Sequence, residues 1–278
     1  MLSEDKRIEF LSHGISYSMN TPCIMGIVNA TPDSFFSGSR IADSHWKTRV
    51  EDWVNIGCDI LDIGGQSTRP GATRISPEEE WNRVKDVLDW TRKNFPQQII
   101  SIDTFCGSVA ERAMEMGVQM INDVSAFEID PSLLEVVNKW KVPYILMHMQ
   151  GEPQTMQIQP HYQDVVREVE YFFQEKLLLL KEVPVWLDLG FGFGKTMEHN
   201  MTLLKNLSHF LTFEKPLLVG LSRKKTIQTL TGKDAENCLP GTLAAQTIAL
   251  LNGAHILRVH DVEEAIQISK IVREYQKF

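Results

Sequence analysis

The chain has 278 residues, 43% of them hydrophobic and 23% charged, a balance that suits a globular protein and excludes a disordered one. Lys and Arg number 28 against 36 Asp and Glu, so the formal net charge is −8, which argues against nucleic acid as a partner. No apolar run approaches the roughly 18 residues of a membrane span, so no membrane partner is expected.

The four cysteines, Cys23, Cys58, Cys106 and Cys238, are scattered with no C-x-x-C pair, and Cys23 and Cys58, which lie in apolar runs, read as small core residues of a reducing compartment. No signal-peptide pattern precedes the first apolar run, and a cytoplasmic location is expected.

Residues 1–20 pattern as a short hairpin around Gly14, serving as a lid or plug. Eight apolar runs of strand length follow, at Cys23–Asn29, Asp59–Ile63, Gln98–Asp103, Gln119–Asp123, Tyr144–His148, Val185–Asp188, Leu217–Ser222 and His255–Val259. They are continuously apolar rather than alternating, the pattern of parallel strands covered on both faces.

Helical patterns separate them. Ser76 as N-cap, Pro77 and the acidic run Glu78–Glu80 open one helix; Asp130-Pro131 opens another. Val165–Lys181 is amphipathic, and Thr242–Leu251 is small and apolar. Eight strand–helix units without a linker predict an α/β protein, a single (β/α)8 TIM barrel over residues 21–278 behind the N-terminal hairpin.

Barrels of this kind place their chemistry at the C-terminal ends of the strands. Those ends carry Asn29, Asp62, Asp103, Asn122 with Asp123, His148, Asp188, Ser222-Arg223-Lys224, and Arg258 with His260. Asn29 and Asp33 offer hard oxygens of the kind that hold Mg2+ together with a substrate phosphate. After the second strand, Gly64 and Gly65 permit close backbone approach, and Ser67, Thr68 and Arg69 are donors for an anion.

Asp103, Asn122 and Asp188 supply a donor and acceptors for the edge of a nitrogen heterocycle; singly, each also fits a helix N-cap. Positive charge for an anionic ligand has few sources: Arg69, Arg74, the run Arg223-Lys224-Lys225, Arg258 and His260. The loops after strands seven and eight are a frequent phosphate site in this architecture.

Two tempting motifs fail. Gly194-Lys195-Thr196 ends like a nucleotide-binding loop, but the required first glycine falls on Leu189. His148 lacks the companions of a zinc site, and Met147 and Met149 beside it suit packing on a flat ring. Gly190, Gly192 and Gly194 are expected to let their loop pass beneath such a ligand and leave Asp188 exposed.

With these residues assembled, the chain resembles the dihydropteroate synthases of folate biosynthesis, almost end to end. The resemblance rests on Asn29–Phe35, Asp62–Gly71, Ser101–Thr104, Asn122–Ser125, Met147–Gly151, Gly190–Gly194, Ser222–Lys224 and Arg258–Val262. It implies a TIM barrel that joins p-aminobenzoate to 6-hydroxymethyl-7,8-dihydropterin diphosphate with Mg2+ as cofactor, is usually a homodimer, and is the target of sulfonamides.

Carried onto this sequence, it implies that Asp103, Asn122, Met147, Asp188 and Lys224 hold the pterin. Asn29, Thr68, Arg69, Arg258 and His260 meet the diphosphate, with Asn29 and Asp33 at the metal. Phe35, Thr68, Pro70, Ser222 and Lys224 line the p-aminobenzoate pocket, and Asp103, Lys224 and Arg258 carry the chemistry. Gln66, Leu189 and Lys225 depart from the usual Glu, Pro and small hydroxyl residue of this group; Leu189 is expected to loosen the turn that aims Asp188. The competing expectations are a pterin-dependent methyltransferase and a non-catalytic pterin-binding paralogue.

Overall fold

The computed structural model describes residues 7–30, 46–67, 72–152 and 155–278. The expectations placed on Asp33, Phe35, Thr68, Arg69 and Pro70 lie outside these residues.

A two-stranded antiparallel hairpin, β1 (Arg7–Ser12) and β2 (Ile15–Asn20), precedes the barrel. The barrel strands are β3 (Cys23–Asn29), β4 (Ile60–Gly64), β5 (Ile99–Asp103), β6 (Met120–Asp123), β7 (Tyr144–Met147), β8 (Val185–Asp188), β9 (Leu217–Val219) and β10 (Ile256–Val259). All neighbours are parallel, and β10 closes on β3 to complete the barrel. The eight expected runs are the eight strands, with ends shifted by three residues at most.

Around them run α1 (Trp46–Ile56), α2 (Pro77–Asn94), α3 (Gly107–Glu115), α4 (Ser132–Trp140), α5 (Val165–Leu177), α6 (Met197–Lys205), α7 (Lys225–Thr231), α8 (Leu239–Leu251) and α9 (Val262–Tyr275), with a 3-10 helix at Leu207–Phe213. Ser76 caps α2 by accepting from the Glu79 amide, and Glu78–Glu80 occupy its first turn where the helix dipole favours them. α4 starts one residue later than expected because Asp130 accepts from the Ser132 amide and hydroxyl. α5 stops at Leu177, short of Lys181; Leu178 and Leu179 continue the apolar run but are exposed.

Strand residues alternate between two cores. Outward side chains such as Leu61, Ile63, Ile100, Ile102, Leu187 and Val219 pack under the helices. Inward, Met25, Ile60, Ile99, Met120, Ile145, Trp186, Leu218 and Ile256 form one apolar layer together with Ile8, Phe10 and Met19 of the hairpin. The hairpin therefore plugs the N-terminal end of the barrel, the plug of the two roles expected for it.

Moving two residues along the strands keeps a side chain inward and raises it one step toward the other mouth. Ile60 leads to Asp62, Met120 to Asn122, Ile145 to Met147, Trp186 to Asp188, and Ile256 to Arg258. The period of a β-strand thus stacks the candidate residues on the apolar floor.

Candidate active site at the barrel mouth

Arg258 is the hub of the buried polar layer. Its Nε donates to Asp62 Oδ2 at 2.7 Å, and its terminal nitrogen donates to Asp103 Oδ2 at 2.5 Å. Asn122 Nδ2 donates to the same Asp62 oxygen at 3.0 Å, which links β4, β5, β6 and β10 through side chains. Burial pushes the Asp103 carboxyl up, against the pull of Arg258 and with the help of the neighbouring carboxylates Asp62, Glu80 and Asp123. Gly64 makes room beside it: a Cβ there would come within 3.2 Å of the Asp103 Cβ.

Asp188 and Lys224 face Arg258 across Gly220. A Cβ on Gly220 would lie 3.7 Å from Lys224 Nζ, 4.0 Å from Asp188 Oδ2 and 4.0 Å from the Arg258 Cβ, so the three side chains converge on the gap left by a missing one. Lys224 Nζ donates to the Phe191 carbonyl and stands 4.6 Å from the centre of the Phe193 ring. Burial lowers the Lys224 ammonium to about 8, with Asp188 raising it and Arg258 lowering it further.

Asp188 is buried rather than exposed, and the Gly190 amide donates to its Oδ1 at 2.8 Å. Leu189 lies fully in the core, so that amide fixes the turn without a proline. Met147 belongs to a small apolar shelf at this mouth with Phe105 and Val124, flanked by Ile129, Met149 and Phe193.

Asn29 ends β3, half-buried and paired in register with Gly64. Ser222 and His260 meet each other: the His260 amide donates to Ser222 Oγ at 3.2 Å, and Nδ1 of the ring is at the same distance from it.

Two further expectations change. Arg223 is withdrawn from the anion-binding candidates: it pairs bidentately with Asp261 at 2.7 and 2.8 Å and donates to the Ala235 and Glu236 carbonyls. Its left-handed backbone, φ 55°, turns it out of the barrel while Lys224 next to it enters the site. Arg74 is occupied by Glu152 at 3.2 Å.

Gly64 and Gly65 serve close packing inside the protein, since a Cβ on Gly65 would strike the Glu80 carbonyl at 2.8 Å. Sequence reasoning assigned no task to Asp62, although its inward parity and its place at a strand end were both readable. Among the described residues no group of three or more His, Cys, Asp or Glu is arranged to hold a metal. A groove of about 600 Å³ between α5 and α6, lined by Arg167, Glu170, Tyr171 and His209 among others, lies on the outer wall and shares no residue with this cluster.

Comparison with known proteins agrees with this geometry. Residues 25–260 match the family model described as pterin binding enzyme. The dihydropteroate synthase of Escherichia coli strain K12 is 39% identical over 273 residues, covering 95% of each chain. Among solved structures, dihydropteroate synthase of Yersinia pestis, in a sulfonamide drug complex, superposes with a TM-score of 0.92 at 35% identity, covering 98% of this chain and all of that one. The Xanthomonas albilineans enzyme with 4-aminobenzoic acid gives 0.88 at 36% identity and the same coverage. The chain belongs to the pterin binding enzymes, among the dihydropteroate synthases.

Proposed function

We propose that the chain condenses 6-hydroxymethyl-7,8-dihydropterin diphosphate with p-aminobenzoate, releasing diphosphate and 7,8-dihydropteroate. The observation that carries this reading is the convergence of Asp188, Lys224 and Arg258 around the gap at Gly220, with Asp103 and Asn122 beside them and the Met147 shelf at the mouth. A flat heterocycle with donors and acceptors along its edge fits such a layer. Asp103, Asn122, Asp188 and Lys224 read that edge, while Met147 belongs to the shelf that receives the ring.

Arg258 and His260 stand where the diphosphate would leave, with Ser222 and Lys224 on the p-aminobenzoate side. Thr68, Arg69, Phe35 and Pro70 complete these assignments from the sequence. The carbon–oxygen bond to the diphosphate breaks with the electron pair leaving on oxygen, and Arg258 stabilises the charge that appears there. The pterin methylene becomes electron-poor, Asp103 as a carboxylate is the proposed group that offsets this charge, and the aromatic amine forms the new carbon–nitrogen bond while its proton passes to solvent. An α-secondary deuterium isotope effect near unity at that methylene, with chemistry rate-limiting, overturns the dissociative order of these events.

Mg2+ is proposed as the cofactor. Among the described residues, Asn29 contributes one hard oxygen donor, which suits an ion held mainly by substrate phosphates and water; Asp33 is the second proposed ligand. When bound, the ion neutralises diphosphate charge.

A homodimer is proposed from the exposed apolar side chains Ile248 and Leu251 on α8 and Ile271 and Tyr275 on α9, and sedimentation at micromolar concentration measures it. A cytoplasmic setting is proposed from the four free, buried thiols. Among the described residues no helix is long and apolar enough to cross a membrane.

The deciding assay measures diphosphate release from dihydropterin diphosphate and Mg2+, with and without p-aminobenzoate. Release that requires p-aminobenzoate and is lost in Lys224→Ala supports the synthase reading. Pterin binding without turnover supports a non-catalytic paralogue.

A further inference from the structure

Lys195 and His148, each discarded as a motif on sequence grounds, meet in the structure. Lys195 is buried in the segment between β8 and α6, and its Nζ is 2.8 Å from His148 Nδ1. The same nitrogen donates to the carbonyls of His148 at 3.2 Å, Gly190 at 3.0 Å and Phe193 at 3.1 Å. Among the described residues no carboxylate forms an ion pair with it. Burial lowers both its ammonium and the His148 imidazolium well below their ordinary values. Asp188 favours its charged form only through space, so keeping this amine buried is expensive in free energy and its position requires an explanation.

The explanation lies in the loop that it holds. Gly190, Gly192 and Gly194 all have left-handed φ, at 70°, 80° and 62°, so the segment cannot satisfy its carbonyls within regular structure. Apart from a turn in which the Phe193 amide donates to the Gly190 carbonyl at 3.0 Å, side chains do so instead. Gly190 and Phe193 give their carbonyls to Lys195, Gly192 to Gln157, and Gly194 to Tyr162. The remaining carbonyl, that of Phe191, receives Lys224.

The loop is pressed against the chain that leaves β7. A Cβ on Gly190 would stand 1.8 Å from the His148 carbonyl, and one on Gly194 would stand 2.3 Å from that of Gln150. Lys195 fastens the two segments at this contact. The fastened loop presents three groups to the site: the Phe191 carbonyl and the Phe193 ring to Lys224, and the Gly190 amide to Asp188.

We infer that Lys195, braced by His148, is a positioning residue for pterin recognition, acting through the loop 190–194 on Lys224. This rests on the pterin reading of the site given above. It predicts coupling between two lysines that do not bond to each other.

A double-mutant cycle on pterin affinity tests it, with 6-hydroxymethyl-7,8-dihydropterin diphosphate titrated calorimetrically in the absence of p-aminobenzoate. Lys195→Met is expected to weaken binding about 10- to 30-fold in the otherwise unsubstituted chain, and less than about 3-fold when Lys224→Met is already present. Equal factors in the two backgrounds, or unchanged affinity in Lys195→Met, overturn the inference, because a merely structural staple gives additive losses.

If Lys195→Met does not fold, His148→Leu replaces it. That substitution leaves Lys195 its three carbonyls, and about 3- to 10-fold weakening that disappears in the Lys224→Met background is expected. Failure of the unsubstituted chain to bind the pterin overturns the parent reading and this one together; binding with additive losses overturns this one alone.

Discussion

Asp62 lies beneath Arg258 with one carboxylate oxygen accepting from both Arg258 and Asn122, while its other oxygen is buried without a partner among the described residues. The single engaged oxygen therefore fixes the guanidinium and the amide relative to each other. Asp62→Asn keeps the shape and removes the charge that Arg258 meets. It is expected to lower stability by about 2 kcal/mol, the scale of a hydrogen bond to a charged group, measured by urea unfolding.

Lys224 adds a pH dependence at the same scale. Its ammonium is lowered to about 8 by burial, and it must keep its proton to donate all its hydrogen bonds. The value of kcat/KM for the pterin is accordingly expected to fall as pH rises through about 8 in the free enzyme. Lys224→Arg, which stays charged, should remove that alkaline limb even where its activity is lower. A limb that persists unchanged in Lys224→Arg assigns it to another group.

The elements that carry these residues differ in what they ask of their sequences. α2 lays Glu80 inward against Gly65 after β4, with a carboxylate oxygen that lacks a partner among the described residues and a hydrogen bond to the Thr104 side chain. Burial pushes this carboxyl up to about 7, with Thr104 and Arg83 pulling it down. The folded state thus holds the proton more tightly than the unfolded chain does. The associated stability is fully present below about 4.5 and is lost as pH rises to about 7. Glu80→Gln removes the titration, so its stability relative to the unsubstituted chain is expected to improve by roughly 2 to 3 kcal/mol between pH 5 and pH 8. Thermal or urea melts across that range measure the difference, and a constant offset refutes it.

The same elements mark where sequence patterns inform and where they stop. Continuous apolar runs identified the eight strands because parallel strands are covered on both faces, a local property of the chain. The partners of Asp62 were not legible, because Arg258 lies 196 residues away and only barrel closure brings the two together. Arg223 and Lys224 looked equivalent because the left-handed turn that separates their directions leaves no mark on residue type. Lys195 and His148 each failed a known motif, and their meeting depends on two loops packing against each other. Local periodicity recovered the frame of the site, while its wiring is a consequence of tertiary contact.

At the scale of the whole molecule the barrel separates its stability from its chemistry. The apolar floor belongs to the N-terminal end, where the hairpin buries Ile8, Phe10 and Met19 against Trp186 and the inward strand residues. Phe10 stacks on Tyr17 at 5.2 Å between ring centres and meets Trp186 edge-on at 5.8 Å. The charged layer begins one inward step above that floor, and among the described residues the apolar cluster that contains the hairpin includes none of the candidate site residues. Phe10→Ala is expected to destabilise the fold by about 3 to 5 kcal/mol, the cost of removing a buried aromatic ring and leaving a cavity. At a temperature where the variant remains folded, the KM for each substrate should stay within about twofold, because the lost contacts lie below the apolar floor and additivity holds for distant sites. Urea unfolding and steady-state kinetics on the same preparation test both halves. A large rise in the pterin KM with little loss of stability would mean that the plug acts on the mouth through the barrel, and the separation of the two ends would fail.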